Sequence, residues 1–381
     1  MSERIYENDS YIMNFTATVL SCKENGEYFD IILDRTAFFP EGGGQQGDNG
    51  FIESVCVADT QLVDGKIVHK AMAPVEEGIE VECFIDWETR YDRMQNHTGE
   101  HILSGIIHDM YGYNNVGFHM NDDEVTFDVD GKLTEEDIYI IEITANKIID
   151  DNHPISVIYP EGNELVELDY RSKLDLTEGV RIVNIEGVDL CACCAPHVAT
   201  TSEVGLIKIT RFYSNKGGTR LHVLCGGRAR GDYGILSEQV TYVTNAASSK
   251  RYELNLVYDR LLSEIASLKE EHRNFKASVI NEKVEEAKEG KGGYLYFVKD
   301  FTFDDLVKLC DVSTKKYTDA MSCVFCGNDD EGYNFVIGGE GSAQKFPEFR
   351  REFNARGGGR DMYQGKVQAK KSDIEKFFYI D

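Results

Sequence analysis

Apolar positions alternate with a period of two in the early part of this chain and shift to a helical period further on. Ile79, Val81, Cys83 and Ile85 fall on one face of a strand, and Tyr28 to Leu33 is an apolar run of strand length. Val55–Val57 and Ile67–His69 read as short strands around an Asp64-Gly65 hairpin signal. Arg90 to Tyr111 turns helical, with Leu103, Ile106 and Ile107 on the apolar side and Gly112 as a C-cap. A strand at Glu124–Val129 is followed by an amphipathic helix at Thr134–Asp150, with Ile138, Ile141, Ile148 and Ile149 on its buried side. Ile155–Tyr159, Val180–Ile185, Leu206–Phe212 and Leu221–Leu224 read as strands.

From Asp232 to Lys288 the pattern is helical, with a break near Ser248-Ser249. Leu254, Tyr258, Leu261, Ile265, Leu268, His272, Phe275 and Val279 alternate spacings of four and three, a heptad seam of about three repeats. Such a seam suits a coiled coil between subunits or a hairpin within one. Beyond it, Tyr294–Val298, Ser322–Cys326 and Asn334–Gly338 are strand-like. Phe303–Cys310 and Ala343–Phe353 are helix-like, and Arg356-Gly357-Gly358-Gly359-Arg360 reads as a glycine loop between arginines. The expected class is α+β in four parts: a β-barrel-like domain over 1–90, an α/β domain over 91–231, a helical segment over 232–290 and a C-terminal α/β domain over 291–381.

The formal net charge of −27 opposes nonspecific nucleic-acid binding. Two stretches run against it. Val204–Gly231 carries Lys208, Arg211, Arg220 and Arg228 with no acidic residue, and Lys345–Lys371 holds Arg350, Arg356 and Arg360. No apolar run is long enough to span a bilayer, and the first residues lack the basic-then-apolar order of a secretory leader. Ten cysteines, several near a histidine, read as reduced thiols plus a metal site, so the expected compartment is the cytoplasm. Cys323 and Cys326 have no partner pair and read as buried thiols in a strand.

The candidate chemistry lies in two matched spacings. His97 and His101 stand four apart, as do Cys193 and His197. On a helix such residues share a face, and three imidazoles with one thiolate suit zinc better than magnesium or calcium. Four protein ligands commonly make a closed structural site, whereas a catalytic zinc keeps a position open. Gly42, Gly43 and Gly44 suit a loop that brings backbone close to a ligand or another segment.

The PEGGGQQGDNG loop, the HTGEH segment, the CCAPH segment and the GGGRDMYQG stretch occur in that order, and together they resemble the long form of the free-standing alanyl-tRNA editing proteins called AlaX. These are similar to the editing half of alanyl-tRNA synthetase. The resemblance implies one zinc per chain, held by His97, His101, Cys193 and His197. The family's CGGTH reads CCAPH here, which leaves the ligand thiol open between Cys193 and Cys194; Cys193 keeps the four-residue relation to His197. The family's TGEIG turn carries Ser202 in place of its glycine. The C-terminal stretch resembles the DHHA1 domain of the synthetase, associated with tRNA contact and dimerisation.

The implied activity is hydrolysis of mischarged tRNA(Ala), carrying serine or glycine, by a homodimer. Thr98, His119 and Gln45 are candidate catalytic residues. Gly42, Gly43, Gly44, Arg220, Arg228, Arg356, Gly358 and Arg360 are candidate substrate contacts. Two alternatives stand beside it: a tRNA-binding or oligomerisation module with a purely structural zinc, and a zinc hydrolase of another aminoacyl ester.

Overall fold

A computed structural model describes residues 2–122, 124–160, 163–172, 179–287, 289–290 and 292–379. The chain divides into two compact units, Met1–Tyr242 and Val243–Asp381.

The first unit begins with a closed antiparallel barrel. Its strands are β1 (Asn14–Asn25), β2 (Tyr28–Leu33), β3 (Gly50–Ile52), β4 (Val55–Val63), β5 (Lys66–Ala71) and β6 (Glu80–Ile85), in the order β1-β2-β5-β4-β3-β6. Alternation along β6 buries Val81, Cys83 and Ile85 beside Ile31, Leu33, Val57 and Phe38. Asp64 and Gly65 turn the β4–β5 hairpin with φ of 48° and 74°, the left-handed conformation a tight hairpin needs.

Helix α1 (Trp87–Tyr111) leaves the barrel from an Asp86 N-cap and stops at Gly112, whose φ is 70°. Every residue from Arg93 to Ile107 is buried. Strands β7 (Asn115–Met120) and β8 (Val125–Val129), helix α2 (Glu135–Asp151) and the short sheet β9 (Ile155–Ile158), β10 (Ile182–Ile185) and β11 (Asp189–Ala192) follow. Then come β12 (Ile207–Asn215) and β13 (Gly218–Cys225), which complete a four-stranded sheet of order β12-β13-β8-β7. Helices α1 and α2 contribute Ile102, Leu103, Ile107, Ile141 and Ile149 to one core with Phe127, Leu221 and Val223 from this sheet.

Barrel and helix are joined by charge. Arg90 is fully buried and grips Asp48, with its Nε 2.9 Å from both carboxylate oxygens and a short bond from its terminal nitrogen. It also donates to the carbonyls of Ser10 and Ala37. One turn on, Arg93 donates to the Gly47 carbonyl at 2.7 Å. The two guanidiniums therefore pin the loop between β2 and β3 against the helix that follows the barrel.

Helix α3 (Gly226–Ala246) runs across the division between the units. In the second unit, α4 (Leu254–Glu285) is followed by β14 (Gly293–Val298), α5 (Phe303–Lys316), β15 (Met321–Asn328), β16 (Gly332–Gly339), α6 (Ser342–Phe353), β17 (Arg356–Gly359), β18 (Met362–Val367) and α7 (Lys371–Tyr379). Lys288, the expected end of the long helical stretch, lies outside the described residues. The sheet runs from Glu289–Gly290 through β14, β15, β16 and β18 to β17. Alternation feeds two cores: Phe325, Phe335 and Ile337 pack with α6 and α7, while Val324 and Val336 pack with α5 and the end of α4.

The glycine run expected as a loop is an edge strand. Gly357 and Gly359 pair with Gly365 and Tyr363. A Cβ on Gly359 would stand 1.8 Å from the Met362 carbonyl, so glycine is what allows the close pairing. The heptad positions Tyr258, Leu261, Ile265, Leu268 and Phe275 are exposed on α4. Among the described residues, no helix is long and apolar enough to cross a membrane.

Candidate metal centre

Helix α1 sets His97 and His101 on successive turns of one buried face. The second couple is built differently. Cys193 to Val198 forms no regular element after β11. Pro196 lacks an amide N–H and disfavours helical geometry in the residue before it, so the four-residue spacing is met by an irregular bend. Arg181 pins that bend: its carbonyl accepts from Cys193 N at 3.0 Å, and its Nη1 donates to the carbonyls of Cys193 and Ala195 at 2.8 and 3.0 Å.

The four side chains meet. One ligand atom from each of His97, His101, Cys193 and His197 lies within 4.8 Å of the others. Cys193 Sγ is 3.6 Å from His97 Nε2 and 3.3 Å from His197 Nε2. Cys194 is outside this group, its sulfur 3.7 Å from where a Cβ on Gly42 or Gly43 would stand.

Each imidazole is held from behind through Nδ1. His97 Nδ1 is 2.9 Å from Gln45 Oε1, His101 Nδ1 is 2.9 Å from Asp189 Oδ2, and His197 Nδ1 is 3.0 Å from Thr98 Oγ1. Partners of this kind fix ring orientation and tautomer and leave Nε2 for a metal. Asp189 is itself held by Arg171 through bonds of 2.7 and 2.8 Å.

Cys193, His197 and His101 feel burial and one another in different directions. Burial opposes ionisation of the Cys193 thiol. The neighbouring His97 and His197 rings, with hydrogen bonds from His101 and His197, outweigh it and hold the thiol well below its ordinary value. Burial pushes His197 down to about 3. His101, despite its burial, is raised well above the usual histidine value by Asp189 and Cys193. A ready thiolate and imidazoles with inward-facing Nε2 atoms match the donor set that zinc takes.

The glycine loop closes one side. Gly43 and Gly44 have φ of 62° and 86°, and Gly42 and Gln45 exchange backbone hydrogen bonds of 3.0 Å. A Cβ on Gly44 would lie 2.5 Å from the Phe118 carbonyl, so a larger residue cannot enter without moving β7. Gln45 is fully buried, and among the described residues its Nε2 has no hydrogen-bond partner. A cavity of about 840 Å³ opens beside the cluster, with Gly43, Glu100, Asn115, Phe118 and Arg171 among its lining residues.

The remaining sequence candidates lie behind or outside the cluster. Alternation along β7 turns Phe118 toward His97, at 4.8 Å between ring centroids, and leaves His119 exposed beside Asn121. Thr98 sits fully buried behind His197. Arg220 is tied to Asp128 by two bonds of 2.6 Å, and Arg228 to Asp92 and the Asn121 carbonyl. Both arginines expected at phosphates are thus engaged by acidic side chains of their own unit. Arg356, Gly358 and Arg360 are exposed in the second unit. Asp189 and Phe118 escaped the sequence reading. Asp189, Cys191 and Cys193 sit at alternate positions along one strand and its extension, which is the signal that would have found the carboxylate.

Two family models match. Residues 180–222 match the threonyl and alanyl tRNA synthetase second additional domain, and residues 6–89 match class II (A) tRNA synthetases. Among curated relatives, the alanyl-tRNA editing protein AlaX-L of Pyrococcus horikoshii is 37% identical over 60% of this chain and 59% of its own length. The alanine–tRNA ligase of Ignicoccus hospitalis is 30% identical over 81% of this chain and 35% of its own. The alanyl-tRNA editing protein Aarsd1 of Bos taurus is 32% identical over 58% and 54%. The chain thus spans little more than half the length of the editing proteins it matches.

Proposed function

From this chain's similarity to alanyl-tRNA editing proteins, we propose that it is a hydrolase that removes a wrong amino acid, serine or glycine, from tRNA(Ala). The observation that carries the reading is the inward convergence of His97, His101, Cys193 and His197, each imidazole tethered through Nδ1. These four residues would hold one zinc ion. Bound there, zinc supplies a Lewis acid for an ester carbonyl or a water.

The chain's own residues do the rest. Gln45, Asp189 and Thr98 keep the rings aimed, which puts Gln45 and Thr98 behind the ligands. The glycine loop, with Gly43 in the cavity wall, presents backbone without side chains to the acyl group. Such a second sieve answers a known difficulty: a pocket shaped for alanine can neither exclude glycine nor strongly reject serine.

The tRNA would be met through the exposed Arg356–Arg360 edge of a DHHA1-like part. Two copies would pair through the exposed Tyr258, Leu261, Ile265, Leu268 and Phe275 stripe as a coiled coil. We read the chain as cytoplasmic and in four parts, 1–90, 91–231, 232–290 and 291–381.

A second reading rests on the ligand count: four protein donors make a closed set that suits structural zinc. The zinc-loaded protein incubated with Ser-tRNA(Ala) separates the two. Release of serine, lost in His97→Ala/His101→Ala, supports hydrolysis; no release by a protein that keeps its zinc supports the structural reading.

A further inference from the structure

Glu100 stands between the two ligand histidines on α1, is buried, and lines the cavity that also reaches His97, His101 and Cys193. Ser104, one turn later, and Asn115, at the start of β7, both donate to its Oε1. Asn115 is itself oriented, since its Oδ1 accepts from Gly117 N at 2.9 Å. The carboxylate is therefore held in a fixed direction beside the metal ligands.

The surrounding wall favours a cationic guest. Among the described residues it carries five carboxylates and three guanidiniums. Two guanidiniums are matched by carboxylates, Arg4 by Glu7 at 3.2 Å and Arg171 by Asp189 at 2.7 Å; Arg181 keeps its charge, with Nη1 on backbone carbonyls, which leaves Glu100, Asp109 and Asp169 against one guanidinium. Asp189 is spent on Arg171 and His101. An aminoacyl ester carries its α-ammonium next to the scissile carbonyl, so a carboxylate beside the ligands is within reach of that charge when the carbonyl faces them.

We infer that Glu100 receives the α-ammonium of the bound aminoacyl group and so orients its ester in the cavity. This rests on reading the site as one for aminoacyl esters. A charge-assisted hydrogen bond is a strong and directional contact. It would make the site require a free amino group and reject N-acylated or α-hydroxy acyl esters.

The test is binding of two inert amides to the zinc-loaded protein, followed by calorimetry. One probe is 3′-deoxy-3′-(L-seryl)amidoadenosine; the other is its des-amino 3-hydroxypropanoyl counterpart. The seryl probe should bind about tenfold or more tighter, as a hydrogen bond between charged groups warrants. Glu100→Gln should bind both probes alike while keeping its zinc. If that variant does not fold, Glu100→Ala serves the same comparison. A preference that survives in the variant overturns the assignment. Equal binding by the unaltered protein overturns it too, and leaves the editing function standing. Binding of neither probe removes both.

Discussion

Gln45 Oε1 lies 2.9 Å from Nδ1 of His97, across the gap between a barrel loop and the helix that follows it. An amide oxygen only accepts, so Nδ1 carries the proton and Nε2 keeps its lone pair. A residue 52 positions earlier in the chain thus sets the tautomer of a metal ligand.

Gln45→Ala removes that restraint. Zinc affinity, measured by chelator competition, should fall about 10–100-fold, the usual effect of losing such a partner. Unchanged affinity would show that the ring is held by packing alone.

Asp189→Asn weakens the hold on His101 and leaves Arg171 facing a neutral amide. Asp189 is held below the usual carboxylate range: burial opposes this, and the His101 and Arg171 contacts outweigh it. Metal affinity should again fall about 10–100-fold, with a lower melting temperature in the metal-free protein as well. Gln45→Ala should show the first effect with little of the second.

Arg90→Ala strands the Asp48 carboxylate in the interior. Breaking a buried pair from one side costs about 3–5 kcal/mol, read by urea unfolding. Replacing both partners, Arg90→Met with Asp48→Asn, should recover part of the loss, because no uncompensated charge remains.

His69 gives the barrel a defined acid sensitivity. It is fully buried, bonded to Thr36 Oγ1 and the Ile31 carbonyl, and burial pushes its pKa down to about 4. The unfolded chain takes up this proton near pH 6.5, and the folded chain only near 4. Stability from this residue is complete above the higher value. It is lost as pH falls through the window between them, by roughly 3 kcal/mol in all. His69→Gln should flatten the pH dependence of unfolding there relative to the unaltered protein, and equal slopes would contradict this.

Leu261→Glu with Leu268→Glu places charge on the exposed α4 stripe. Sedimentation should show a dimer for the unaltered chain and a monomer for the variant; a monomer in both cases removes the coiled-coil reading.

Where one face of an element is buried, the sequence made the element legible. The α1 and α2 helices, the β6 alternation and the Asp64-Gly65 turn each declare their period or their φ locally. The His97–His101 couple was readable for the same reason, because helical spacing places both rings on one face. The bend at Pro196 was not, since its shape depends on Arg181, a residue 15 positions away in sequence that holds two of its carbonyls. His119 was a plausible site residue by position, yet strand parity turned Phe118 inward instead. Arg220 and Arg228 looked free in a stretch without acids; their partners Asp128 and Asp92 come from distant segments that only the sheet and helix packing bring close.

The claim on which the rest depends is that two sequence-distant couples hold one metal ion. X-ray absorption at the zinc edge, on the purified protein with its metal content determined, tests it most directly. One zinc per chain with three nitrogen neighbours and one sulfur, and loss of that metal in His97→Ala/His101→Ala, is the expected result. A zinc shell without sulfur, or full metal content in the double variant, would contradict it.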